Sequence, residues 1–257
     1  MIERLLEWNL IHDASYTALD SLRENAQAAL PHLSKWATRQ KMRIIPTAPY
    51  QWQLLDTHHN RKVEIEYLIE DLFSFIQQKA GEQKWDLLVA HAFLDLVDIP
   101  MTLPLLRNLL HPDGSFYFSL NFDGATIIEP VIDPVFDQLV VELYHRSMDE
   151  RLIQGKASGD SQAGRHLFEH LGQAGFTITA AGASDWVVFP VNGAYIHDEA
   201  YFLQFILHTI HQELKNHPDL DANRFETWIT KRHEQVAQAE LVYLAHQLDF
   251  AGKINKS

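Results

Sequence analysis

Two carboxylates stand where strands are expected to end. Ser15–Leu19 is a short apolar run that closes on Asp20, and the alternating Val63-Glu64-Ile65-Glu66-Tyr67 leads into Glu70-Asp71-Leu72. In open α/β sheets ligands bind beyond the carboxyl ends of strands, and an acid at the end of the second strand accepts hydrogen bonds from ribose hydroxyls. The same residues have a plainer use, because Asp is favoured at helix starts for capping. A second polar group lies at Tyr144-His145-Arg146-Ser147-Met148-Asp149-Glu150-Arg151, followed by Gly159-Asp160-Ser161 and Arg165. Tyr, His, Arg and Asp together could orient a polar acceptor, and Tyr144 or His145 could take a proton from it. Capping by Asp160-Ser161 and surface pairing of Arg151 and Arg165 are the competing uses. A third motif, His166-Leu167-Phe168-Glu169-His170, fits the H-x-x-E-H pattern of zinc peptidases. Leu167, Phe168 and Leu171 make it an ordinary amphipathic helix, and among 15 histidines chance matches are expected, so no metal site is predicted. His58, His59, His208 and His211 read as surface histidines on the same grounds.

Elements must position these residues. Ile2, Leu5 and Leu6 share a helical face at the start of the chain, and Ser21-Leu22-Arg23-Glu24 has the spacing of a capping box before a helix through Leu30. Between Pro31 and Lys62 the pattern weakens. Trp85–Ala90 is a continuous apolar run, as for a strand covered on both faces. A helix carrying Leu103, Leu106 and Leu109 follows, then a turn at His111-Pro112-Asp113-Gly114 and a strand over 115–120. Val135 to Leu143 lie along one helical face, and Leu167–Leu171 mark another helix. Phe176–Ala180 and Trp186–Pro190 are expected to form an antiparallel hairpin. Two helices, about 198–214 and 221–238, precede an extended Leu241–His246. Strands alternating with helices predict an α/β fold, doubly wound around a mostly parallel sheet with an antiparallel edge hairpin, a helical insertion and C-terminal helices.

Composition limits the function. The 257 residues, 46% hydrophobic and 21% charged, fit an ordinary globular core. A net charge of −13 disfavours a nucleic-acid partner. No cysteine is present, which excludes disulfides and thiolate chemistry. No segment has the length of a membrane span, so the expectation is a cytoplasmic protein without a membrane partner. Homo-oligomerisation is left open.

The run Trp85–Asp98, followed by Leu105-Leu106-Arg107-Asn108-Leu109-Leu110-His111-Pro112-Asp113-Gly114-Ser115-Phe116, resembles the fourth- and fifth-strand motifs of class I S-adenosylmethionine-dependent methyltransferases. Tyr16–Asp20 resembles that family's second strand with its ribose-binding acid, Glu70-Asp71-Leu72 its third-strand end, and the segment through Phe176 and Trp186 its last two strands. The resemblance covers residues 1 to about 190. It implies S-adenosylmethionine as cofactor, with Asp20 on ribose, Asp71 and Leu72 at adenine, and His91 and Ala92 beside the cofactor. A small-molecule or peptide-like acceptor would meet Tyr144, His145, Met148, Arg151 and Arg165. It also implies one domain over 1–257: a cofactor half over 1–124, a lid over 125–165, the last helix and edge hairpin over 166–192, and C-terminal helices over 193–257. One departure stands out. The family's first strand and Gly-x-Gly-x-Gly turn would precede the helix at Met1 and are absent, so the chain reads as N-terminally truncated, with impaired activity. The ladder groups of Tyr16–Leu19 and Leu87–Ala90 should then lack a partner unless another segment, such as Leu241–His246, pairs into the gap. The alternatives are a non-catalytic methyltransferase-like binding domain, a zinc hydrolase through His166, Glu169 and His170, and a nicotinamide dehydrogenase, which also needs the glycine turn.

Overall fold

The computed structural model describes residues 1–79, 84–153 and 155–255. The chain divides into two compact units, residues 1–82 and 83–257.

The first unit runs α1 (Ile2–Glu7), β1 (Asp13–Asp20), α2 (Arg23–Arg39), β2 (Arg43–Ala48), β3 (Gln51–Asp56), β4 (Arg61–Ile69) and α3 (Leu72–Lys79). Its four-stranded sheet has the order β1-β4-β3-β2, with β1 parallel to β4 and the other pairs antiparallel. β3 buries Trp52 and Leu54 at alternate positions, and β4 does the same with Val63 and Ile65. These side chains pack with Leu6, Leu33, Trp36 and Ala37 of the helices. Helix α2 continues through Pro31 to Arg39, nine residues beyond the Leu30 expected from sequence. A proline inside a helix costs about 3 kcal/mol. Burial of Leu33 and Trp36, the latter donating its indole N–H to Glu7 at 2.8 Å, offsets that cost. The weak pattern after Pro31 also hid the β2–β3 hairpin. β2 tolerates Pro46 because it is an edge strand.

The second unit runs β5 (Trp85–His91), α4 (Ile99–Arg107), β6 (Leu110–Glu129), α5 (Pro134–Asp149), β7 (Leu152–Ile153), β8 (Lys156–Ala157), α6 (Ala163–Gln173), β9 (Phe176–Ala183), β10 (Trp186–Val188), α7 (Glu199–Leu214), α8 (Ala222–Ala237) and β11 (Val242–Ile254). Helices α4, α5 and α8 start on Asp98, Asp133 and Asp221, each accepting a backbone N–H three residues on. The main sheet has the order β10-β11-β6-β5, and β9 also pairs with β11. β5 and β6 are parallel and joined through α4, while every pair involving β11 is antiparallel. The expected turn at residues 111–114 lies within β6 as a break in register, between Trp85↔Leu110 and Leu87↔Ser115. Phe136, Val140, Leu143, Leu207, Phe225, Trp228 and Tyr243 belong to a core cluster of this unit.

The chain is thus α/β, with a parallel β–α–β crossover at one edge of each sheet, β1/β4 and β5/β6, and antiparallel pairs through the rest. Two expectations need correction. The Phe176–Pro190 segments do not pair with each other: β9 and β10 run in the same direction along β11, Ala183 opposite Leu248 and Trp186 opposite Ala245. The intervening residues cannot turn back because each is tied to β11. Ser184 N donates to Gln247 O at 2.9 Å, Ser184 Oγ to Asp249 Oδ1 at 2.5 Å, and Asp185 meets His246 at 2.6 Å. The extended Leu241–His246 does not fill a gap beside β1 or β5. It begins the 13-residue β11, which sits between β6 and the β9/β10 edge. β1 and β5 each end their sheet, with a parallel neighbour on one side and no strand on the other among the described residues.

Candidate functional site

In the first unit β1 and β4 finish together. Asp20 stands opposite Ile69, and Glu70 N donates to Asp20 O at 3.1 Å. Asp71 follows at once, so the parallel ladder brings both carboxylates to one sheet end. Each also starts a helix. Asp20 Oδ1 accepts Leu22 N at 2.8 Å and its Oδ2 accepts Asn25 Nδ2 at 2.8 Å. The expected capping box on Ser21 does not form, since the capping position of α2 is Leu22, which makes no side-chain cap, and the Asp20 carboxylate accepts its N–H instead. Asp71 Oδ1 accepts Phe73 N at 3.0 Å and Ser74 N at 3.1 Å. The capping role and a ligand role are compatible, because a carboxylate has about four lone-pair sites. Among the described residues Asp20 uses one on each oxygen, and the Asp71 bonds fall on Oδ1, leaving Oδ2 to accept from a ligand. Leu72, half-buried beside Asp71, offers an apolar edge.

In the second unit the matching strand end is His91-Ala92. His91 stands opposite Ser119 on β6, and its Nδ1 bonds Ser119 Oγ. Ala92 N donates to Ser119 O at 2.9 Å. Ala92 and Leu120, the residues just past this pair, have φ of 46° and 60°. Non-glycine residues in that region are strained, and such strain concentrates at functional sites. Leu120 is held there by Asp249, whose Oδ1 accepts Leu120 N at 2.9 Å while its Oδ2 accepts Tyr117 Oη at 2.6 Å. Burial and the Asp249 carboxylate push the Tyr117 phenol up to about 12.

The acceptor candidates are placed less favourably. Tyr144 belongs to the core cluster, and burial raises its phenol above the ordinary value. His145 lies against Phe122 at 5.2 Å with its Nε2 3.0 Å from Thr126 Oγ1, and burial lowers its pKa. Met148 packs on the same core. Arg165 pairs with Asp123, Nε to Oδ1 at 2.9 Å, and Asp123 also accepts Arg165 N at 2.7 Å, which ties the first turn of α6 to β6. Arg151 is half-buried, and its charge acts on Tyr144 and on Asp95.

Asp95 was not anticipated. It follows β5 in a short 3-10 turn, its backbone oxygen accepts Asp160 N at 3.3 Å, and its Oδ1 is closed from solvent with no hydrogen-bond partner among the described residues. Burial pushes its carboxyl up to about 6, against the pull of Arg151. An acid inside an apolar run was the available signal. Asp249 was missed because the strand carrying it was expected to end at His246.

His166 is used by Asp160, Nδ1 to Oδ2 at 2.6 Å, and Glu169 by Gln173 at 2.7 Å. Among the described residues no group of three or more histidines and carboxylates could hold a metal ion. Nor is any helix long and apolar enough to cross a membrane among them.

No family model matches the sequence, and no curated protein matches it. Solved structures with a similar course of chain include a protein assigned as a type II methyltransferase from Anaeromyxobacter dehalogenans, 13% identical, covering 99% of this chain and 97% of that one at a TM-score of 0.49. Another, assigned as a methyltransferase from Bacillus halodurans, is 8% identical, with 98% and 97% covered and a TM-score of 0.47. A SAM-dependent methyltransferase from Methanosarcina mazei is 11% identical, with 96% and 92% covered and a TM-score of 0.43. At these identities and TM-scores the likeness decides neither fold nor activity.

Proposed function

We propose that the chain is a class I methyltransferase domain that takes the adenosine part of S-adenosylmethionine at the carboxyl end of β1 and β4. The observation that carries this reading is the pair Asp20 and Asp71 on adjacent parallel strand ends, each with acceptor capacity left after capping its helix. Asp20 would accept from the ribose hydroxyls, and Asp71 through Oδ2 from the adenine amino group, with Leu72 against the base. When bound, the cofactor supplies an electrophilic methyl group on a sulfonium. The chain's own contribution is alignment, since holding nucleophile, methyl and sulfur in line accounts for much of such a rate. In the second unit His91 and Ala92 are the residues we assign to the cofactor, with Tyr144, His145, Met148, Arg151 and Arg165 proposed for a small-molecule or peptide-like acceptor.

These residues fit the adenosine half and not the methionine half. No glycine occurs in the β1–α2 connection, Asp20-Ser21-Leu22, or in the β4–α3 connection, Glu70-Asp71. Backbone approach of the kind a glycine-rich turn allows is therefore missing at these strand ends, and activity should be impaired. The open edges of β1 and β5 favour a second reading, a methyltransferase-like binding domain without turnover, in which those edges take up a strand from elsewhere. Equilibrium dialysis with labelled S-adenosylmethionine tests the first reading. Asp71→Ala should weaken binding about tenfold, the scale of one hydrogen bond involving a charged group. Unchanged binding in Asp71→Ala and in Asp20→Ala would remove its basis.

A further inference from the structure

Three exposed aromatic side chains of the second unit lie together. Trp186, Tyr201 and Phe205 are 43%, 75% and 56% exposed. Together with Phe202, His197, Asp198 and Glu199 they line a surface hollow of about 340 Å³. We propose that this hollow binds an alkylated ammonium group carried by a small soluble ligand.

The hollow is a built surface. Trp186 is held by its β10 pairing to Ala245, and its indole stacks on Phe202 at 4.0 Å and 21°. Phe202 in turn meets buried Tyr243 edge-on at 5.7 Å, so the stack is anchored in the core and presents aromatic surface without reorganisation. Aromatic faces attract cations through their quadrupoles, best when the cation is large and weakly hydrated. The charges agree. Asp198 and Glu199 are among the residues at its apolar wall and place two carboxylates close by, and among the described residues no Lys or Arg lines it. Both acids sit at the amino end of α7, whose partial positive charge of about half a unit would by itself repel a cation. Two carboxylates exceed that compensation and leave the hollow negative. Asp198 makes no side-chain capping bond to the helix, and Glu199 accepts only a long 3.3 Å contact from Ile196 N. A second copy of the chain is disfavoured as occupant, because each copy carries a charge of −13. A small inorganic cation is disfavoured because the aromatic walls cannot replace its water.

The test is a calorimetric titration of the full chain with choline and with its neutral carbon isostere, 3,3-dimethyl-1-butanol. Choline should bind saturably and about tenfold tighter than the isostere, within the range measured for cation–aromatic contacts. Asp198→Asn with Glu199→Gln should weaken choline and leave the isostere unchanged, and Trp186→Ala should weaken choline at least about fivefold. Trp186 also packs on Phe202, so Tyr201→Ala, a change at a largely exposed side chain, provides the same test without risk to the fold. Equal affinity for choline and isostere, or choline binding indifferent to all three variants, would overturn the proposal. Retention on phosphatidylcholine vesicles with no titration by choline would overturn it as well.

Discussion

Asp95 gives the sharpest stability prediction. Its Oδ1 is buried with no hydrogen-bond partner among the described residues, and desolvation raises its carboxyl from 3.8 to about 6, more than Arg151 lowers it. The folded protein therefore holds this proton up to about pH 6, while the unfolded chain releases it near pH 4. Between those values the folded state binds more protons, so stability falls as pH rises. Above about pH 6 the full cost is present. A shift of roughly two units at about 1.4 kcal/mol per unit sets an upper bound of about 3 kcal/mol, and water reaching the site reduces it to ~1–3 kcal/mol. Asp95→Asn removes the charge while keeping the shape. Urea unfolding of both proteins should show the variant more stable by ~1–3 kcal/mol at pH 8, with the gain reduced to about a third near pH 4.5. An equal difference at both pH values, or a less stable variant at pH 8, would refute the reasoning.

Two further substitutions probe the packing of the second unit. At Gly252 an added Cβ would stand 2.0 Å from Thr177 O and 2.7 Å from Phe116 Cε1, so Gly252→Ala should force β9 and β11 apart and cost at least about 2 kcal/mol in thermal or urea unfolding. An unchanged midpoint would show that the approach is looser than described. Arg232 is fully buried, donates to Asp137 Oδ2 at 2.9 Å and to Pro130 O at 2.8 Å, and lies over Trp228 at 4.9 Å. Arg232→Met takes the charged partner from Asp137, which keeps Ile132 N and the Trp228 indole N–H as donors, and should cost about 3–5 kcal/mol, part of it recovered by adding Asp137→Asn, which removes the charge and keeps an acceptor. Additive losses in the double variant would contradict a charge-pair origin.

What the sequence revealed depended on how locally each feature is determined. The runs ending at Asp20 and His91 were legible because an apolar strand followed by an acid or a capped helix is decided within about ten residues. β11 was half legible. Gln247, Asp249, Gly252 and Lys253 break its apolar pattern, and for two of them the reason is one only the sheet supplies: Asp249 bonds Tyr117 and Leu120, and Gly252 admits Thr177 and Phe116. The pairing of β9 and β10 was misread as a hairpin because Gly182-Ala183-Ser184-Asp185 has turn composition, while the bonds of Ser184 and Asp185 to β11 span more than 60 residues. Candidate-site residues divided the same way. Asp20 and Asp71 follow from strand ends. The core position of Tyr144 and the aromatic contact of His145 follow from a helix face whose partners lie far along the chain.

The central claim is recognition of the adenosine part of the cofactor by Asp20 and Asp71 in a chain that lacks a glycine turn for the methionine part. It is tested most directly by titrating residues 1–257 with adenosine and with S-adenosylhomocysteine under identical conditions. The account predicts weak binding of both, with affinities within about threefold because little of the methionine end is held, and loss of both in Asp20→Ala with Asp71→Ala, a penalty expected from two hydrogen bonds to charged groups. Tight binding of S-adenosylhomocysteine that adenosine does not share, or that survives the double substitution, would contradict it.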